Sequence, residues 1–159
     1  MKILILILTS ILIPTFCLAR LGFGEAGNNI DEKSDLIAVA TVLSITNSIA
    51  KLEGHGDPDL YQGKIAKLRI GKPFKGTISN TEIEMHYFTY AEGKSSPNGA
   101  TFINFKDPDK YDFLVYLKLN ESGQYIPASG FYDSIFSVRL IEREWFRIPS
   151  NKLKKPNHH

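Results

Sequence analysis

The chain has one cysteine, one tryptophan and two methionines in 159 residues. The cysteine, Cys17, lies in the opening segment, so everything after it lacks a thiol. That excludes disulfide staples, a thiolate nucleophile and a zinc-thiolate site from the rest of the chain. Charge of one sign is lacking too. Nineteen Lys and Arg stand against 17 Asp and Glu, a net charge of +2, and no global field favours nucleic acid as a partner. There is no internal repeat, no low-complexity stretch and no long helical period. The one long apolar run, Ile3 to Ile13, falls short of the roughly 20 residues that a membrane-spanning helix needs.

That run has the form of a secretory signal. Lys2 supplies a minimal positive flank, the apolar stretch is broken only by Thr9 and Ser10, and Cys17-Leu18-Ala19 puts small residues at the −3 and −1 positions of a cleavage site. Cleavage is expected after Ala19, giving an exported protein, periplasmic or secreted, with no stable membrane insertion afterwards. Bulky Phe16 before Cys17 argues against lipidation there. Residues 20–159 then suffice for one domain, burying roughly two-thirds of the surface its unfolded chain exposes.

Residues 20–34 are rich in Gly, Asn and charge and predict a flexible lead-in, with order beginning near Asp35. Leu36 to Ile45 reads as a strand, with Ile37, Val39, Thr41, Leu43 and Ile45 on one face and the smaller Ala38, Ala40 and Ser44 among those on the other. Residues 47–60 predict a loop. Tyr61 to Ile70 and Thr81 to Tyr90 alternate as strands, the second with Glu82, Glu84 and His86 on a wet face. A polar loop spans 91–100, followed by a short apolar piece at 101–105. Leu114 to Leu119, a hairpin connection at 120–124, Tyr125 to Ala128 and a final strand or short helix at 131–141 complete the pattern. The fold class expected is all-β, a five- to six-stranded antiparallel OB-like barrel over residues 35–141, with a flexible basic tail at 142–159. Arg143, Arg147, Lys152, Lys154 and Lys155 give that tail its charge.

The stretches SDLIAVATVLSI, RIGKPFKG, EIEMHYF and YDFLVYLKLNESGQYIPASGFYDS, in that order, resemble a bacterial secreted group. Its pattern is similar to the OB-like barrel of the tissue inhibitors of metalloproteinases and netrin-type modules. The resemblance covers residues 34 to 141 and rests on strand order and turn residues. It implies a barrel that works by binding. In the animal inhibitors an N-terminal cysteine chelates the target's zinc, and this chain has no cysteine after residue 19, so the inhibitory residues do not carry over. Asp109-Lys110-Tyr111-Asp112 also departs from the group's glycine before the tyrosine.

Four features suggest chemistry. GKPFKG (71–76) has the glycines and lysines of a phosphate cradle. It lacks the Walker spacing, however, Pro73 removes a backbone donor, and a strand follows instead of a helix. It predicts a turn, with Phe74 packed under the barrel and Lys72 and Lys75 solvated. EGHGDPD places Glu53, His55, Asp57 and Asp59 on alternate residues, an oxygen-rich arrangement able to hold a cation, though incomplete as an EF-type loop. His86 beside Glu84 could serve as a base or metal ligand, but no G-x-S-x-G or H-E-x-x-H completes a catalytic set. Tyr61, Tyr87, Tyr90, Tyr111, Tyr116, Tyr125, Phe131 and Tyr132 offer a stacking surface. His158 and His159 are assigned no role.

These features lead to a non-enzymatic binding module, with no cofactor, that contacts a protein through loops 53–60 and 91–100 and the surface near Tyr132. The candidate binding residues are His55, Asp57, Asp59 and Tyr132. The alternative is a small exported metal-dependent hydrolase using loop 53–59 and His86.

Overall fold

A computed structural model describes residues 29–52, 57–96 and 99–142. Six strands follow a short helical turn, α1 (Ile30–Lys33): β1 (Leu36–Ser48), β2 (Tyr61–Lys75), β3 (Glu82–Tyr90), β4 (Tyr111–Leu119), β5 (Tyr125–Pro127) and β6 (Val138–Glu142). They hydrogen-bond in the order β1-β2-β3-β5-β4-β6, and β1 also pairs with β4. The first five strands therefore close on themselves as an all-β barrel with the strand order of an OB-like fold. β6 lies beside β5 along the same edge of β4.

Closure rests on β1, whose residues Leu36 to Ala40 pair with Leu117 to Phe113 of β4 while the whole strand pairs with β2. Two alanines on its inner face, Ala38 and Ala40, are fully buried. Small side chains there let the sheet curl tightly while Leu68, Met85, Phe113, Val115 and Leu117 fill the interior. Asp35 fastens the seam: its N–H donates to the Leu117 carbonyl at 2.8 Å, and its Oδ2 accepts from the Leu119 N–H at 2.8 Å. Ladders are antiparallel except where β3 meets β5, a parallel contact at Met85 and Tyr125. The barrel is thus mixed, because both strands run outward from the same end at that junction.

Several elements differ from the sequence reading. β2 runs to Lys75, so GKPFK is strand and the reversal comes only at Gly76 to Thr81. Pro73 is tolerated because it sits among register shifts, paired with Ala38 where the regular ladder is interrupted. Phe74, expected beneath the barrel, is 70% exposed. Lys75 reaches the Asp31 carbonyl at 2.7 Å, which ties α1 to the end of β2. Order also begins before Asp35. Ile30 is buried against Tyr116 and Ala128, covering the outer face of β4. Residues 101–105 join no strand, yet Ile103 and Phe105 are core residues. The Ser134 hydroxyl, fully buried, accepts the Ile103 N–H at 3.1 Å in place of a ladder bond. Residues 134–137 form a 3-10 turn that leads into β6, so the 131–141 segment is both helix and strand. The expected basic tail lies, beyond Glu142, outside the described residues. Among those described, no helix is long and apolar enough to cross a membrane.

Gly76 holds φ +80°, and a Cβ there would fall onto the Asp35 carbonyl oxygen. Gly76→Ala is expected to cost roughly 1–3 kcal/mol from the left-handed backbone alone, with the clash added. A lowered urea midpoint at unchanged m-value is the measurement; a midpoint equal to wild type would contradict this account.

Candidate functional site

The outer face of β2 and β3 is where the fold leaves an organised concavity. Cross-strand rows there read Arg69 with Glu82, Lys67 with Glu84, Ile65 with His86, Gly63 with Phe88 and Tyr61 with Tyr90. The first two rows are charged and exposed, with Lys67 Nζ 2.8 Å and Arg69 Nη2 3.3 Å from the Glu82 carboxylate. These two cations hold the Glu82 carboxyl below its ordinary range. The last two rows are apolar and covered. Polar and apolar halves of one face meet at His86.

At that junction a cleft of about 400 Å³ opens, within the size range of small ligand sites, roughly 300–1,000 Å³. Its floor is Gly63; its walls include Leu52, Phe88 and Phe131, and its rim carries Ser48, Lys51, His86 and Gln124. Gly63 is required by close approach, since a Cβ there would lie 2.9 Å from the Ala50 carbonyl and 3.2 Å from Ser48 Cβ. The backbone after β1 thus presses onto the strand where a side chain is missing. Three local bonds hold that loop: the Ser48 hydroxyl accepts the Ala50 N–H at 3.1 Å, the Ser48 carbonyl accepts Gln62 Nε2 at 2.9 Å, and Lys51 Nζ pairs with Asp59 at 2.7 Å. On the opposite rim, Asn120 Oδ1 accepts the N–H groups of Ser122 and Gln124, setting the β4–β5 turn.

Beside the cleft lies an aromatic cluster. Phe88 meets Phe131 edge-on at 5.0 Å, Tyr90 meets Phe102 edge-on at 5.0 Å, and Tyr61 stacks near Tyr90 at 5.9 Å. Offset and edge-on contacts of this kind are worth about 0.5–1.5 kcal/mol each beyond area burial. The Tyr61 and Tyr132 hydroxyls are 3.2 Å apart. The hydrogen bond with Tyr132, together with burial, pushes the Tyr61 phenol up to about 12. Burial alone does the same to Tyr87 inside the barrel.

Of the residues singled out from the sequence, Asp57 and Asp59 sit at one turn and Tyr132 in the aromatic cluster. His55 lies outside the described residues. Asp57 Oδ1 accepts the Asp59 N–H at 2.9 Å and caps the 3-10 turn of Pro58–Leu60. Asp59 is exposed, and its Lys51 partner lowers its pKa. Tyr132 joins the aromatic cluster and stays 37% exposed. Among the described residues no three His, Cys, Asp or Glu side chains gather where they could hold a metal. Of the eight aromatics proposed as one surface, Tyr61, Tyr90, Phe131 and Tyr132 do converge. Tyr87 belongs to the barrel core, with Tyr111 and Tyr125 packed at its margin, and Tyr116 lies under α1. Sequence reasoning missed Gly63, Phe88 and Gln124. The signal for the first was a glycine interrupting an alternating strand, and for the second a phenylalanine in line with Glu84 and His86 on the wet face.

No family model and no curated protein matches the chain.

Two outcomes are expected. Gly63→Ala forces the Ala50 backbone away and is expected to cost roughly 1–3 kcal/mol, the usual penalty of overpacking, read by denaturant titration. The second concerns alkali. A phenol whose folded pKa is raised keeps its proton where the unfolded chain, at 10.0, has lost it. Stability contributed by Tyr61 and Tyr87 is therefore fully present below pH 10 and is lost as pH rises from about 10 to about 12. Alkaline unfolding of Tyr61→Phe should show a shallower loss over that window; an identical profile would sink the assignment.

Proposed function

We propose that this chain is an exported, non-enzymatic binding module that holds another protein on the outer face of β2 and β3, at the cleft floored by Gly63. The observation that carries the reading is the cleft itself: a half-apolar concavity lined by Gly63, where the missing side chain lets the β1–β2 loop approach β2, and bounded by that loop and the β4–β5 turn. OB-like barrels present ligands with this face and these two loops. Leu52, Phe88 and Phe131 would receive an apolar anchor, and His86, Gln124 and Lys51 would bond the polar groups around it. That arrangement is the usual division between a hot spot and its rim.

The kinship proposed with tissue inhibitors of metalloproteinases and netrin-type modules extends to the barrel and to binding as a mode of action. It does not extend to zinc chelation, for which this chain has no cysteine after residue 19. Export is read from the form of residues 1–19, and a chain with no thiol after residue 19 suits an oxidising compartment.

The experiment is capture from the envelope and secreted fractions on immobilised residues 20–159 at physiological salt. The comparison is His86→Glu/Gln124→Glu, two rim positions whose change leaves the core untouched. A specific protein held by wild type and released at least roughly tenfold more readily by the variant is expected, since hot-spot rims tune affinity on that scale. Equal capture by both, or none by wild type, would reject the cleft as the binding site.

A further inference from the structure

β4 accompanies β1 only as far as Ala40, whereas β1 continues to Ser48 beside β2. On the side away from β2, Val42 to Ser48 pairs with no strand among the described residues. Exposed strand edges are ordinarily blunted by lysine, proline or inward-pointing charge. β6, the other outer strand, follows that rule with exposed Arg139 and Glu142. The stretch Leu43-Ser44-Ile45-Thr46-Asn47 has neither charge nor proline. Ile45 is 40% exposed there, although its partner across the ladder, Ala66, is fully buried.

We propose that two copies of this chain join by antiparallel pairing of these β1 edges, on a two-fold axis centred at Ile45. Symmetry limits the choice of register. A two-fold axis that keeps neighbouring strands antiparallel stands perpendicular to the sheet, so each residue faces one on the same side of the sheet, an even number of positions away. Centring on Ile45 sets Ile45 against its own copy and Ser44 against Thr46 of the second copy, twice. Pairing centred on Ile45 spans Leu43 to Asn47, past the point where the Thr41 hydroxyl meets Asp112 of β4 at 2.8 Å, so neither copy's β4 obstructs the other. The register shift between Val42 and Ser44 twists the strand and confines regular pairing to Ser44, Ile45 and Thr46 with their immediate neighbours.

The chemistry suits a second copy better than a charged partner strand. With no charge on the edge, self-pairing meets no repulsion. Hydroxyl pairs such as Ser44 with Thr46 and aliphatic pairs such as Ile45 with itself are both favourable across strands. The product is a continuous six-stranded sheet, β3-β2-β1 followed by its symmetry mate. The β2–β3 clefts stay open, one on each copy.

Sedimentation velocity of residues 20–159 across a concentration series tests this, with two variants at exposed positions that leave the core alone. Ser44→Glu/Thr46→Glu sets glutamate against glutamate twice in this register and should raise the dimer dissociation constant roughly tenfold or more. Ser44→Lys/Thr46→Glu sets lysine against glutamate twice and should dimerise as wild type does. Circular dichroism melts confirm that both variants fold. A wild-type chain that stays monomeric throughout, a dimer indifferent to Ser44→Glu/Thr46→Glu, or loss of the dimer in both variants would each overturn the proposal.

Discussion

Everything in this fold depends on β1 being paired along both edges over Ile37 to Ala40. Without the β4 pairing the chain would be an open sheet with its apolar face in water. With it, a single interior is defined and the remaining strands need only follow. The strand can take this position because its inward side chains are small. Ala38 and Ala40 contribute little apolar area themselves, but they let Leu68 and Phe113 approach from opposite walls. Packing at near-crystalline density then makes the interior intolerant of added volume.

Outside the barrel, the chain uses two smaller apolar clusters to hold what the sheet does not. Ile30, Tyr116 and Ala128 bind α1 to the outer face of β4, and Leu52, Tyr61 and Phe88 bind the long loops to the outer face of β2 and β3. The second cluster borders the cleft: Leu52 and Phe88 line it, and the missing side chain at Gly63 lets the loop after β1 press close to β2 beside them. Buried hydroxyls complete the work. Ser134 satisfies Ile103, and Ser137 accepts the Ser129 N–H at 2.9 Å, so segments with no ladder still have paired backbone.

The strands were legible because alternation is a direct imprint of a sheet with one buried face. Tyr61 to Ile70 and Glu82 to Tyr90 could be read from it alone. The extension of β2 through Gly71 to Lys75 could not, since Gly and Pro there mimic a turn and the bulged ladder erases the period. Nor could the closure of β1 on β4 or the parallel contact of β3 with β5, which are matters of topology between distant segments. The cleft was half legible: a glycine in a strand and a phenylalanine on a polar face each pointed outward, but only the fold brings Gly63, Phe88, Phe131 and Gln124 together. Asp57 and Asp59 were singled out on spacing, and the fold gives each a local partner, one as a cap and the other as a tether to Lys51. A short polar loop asks for such fastening whether or not it binds anything.

Asp35 bonds Leu119 across 84 positions of sequence, and Thr41 bonds Asp112 across 71. Neither contact can form until most of the chain is available, so the barrel has no stable N-terminal half. Folding must therefore be a late and concerted event, slow by the standard of folds built from neighbouring contacts. Until β4 arrives, β1 remains a sticky apolar strand seeking a partner. Under the export proposed above, that delay would keep the polypeptide from collapsing while it crosses a membrane in an extended state.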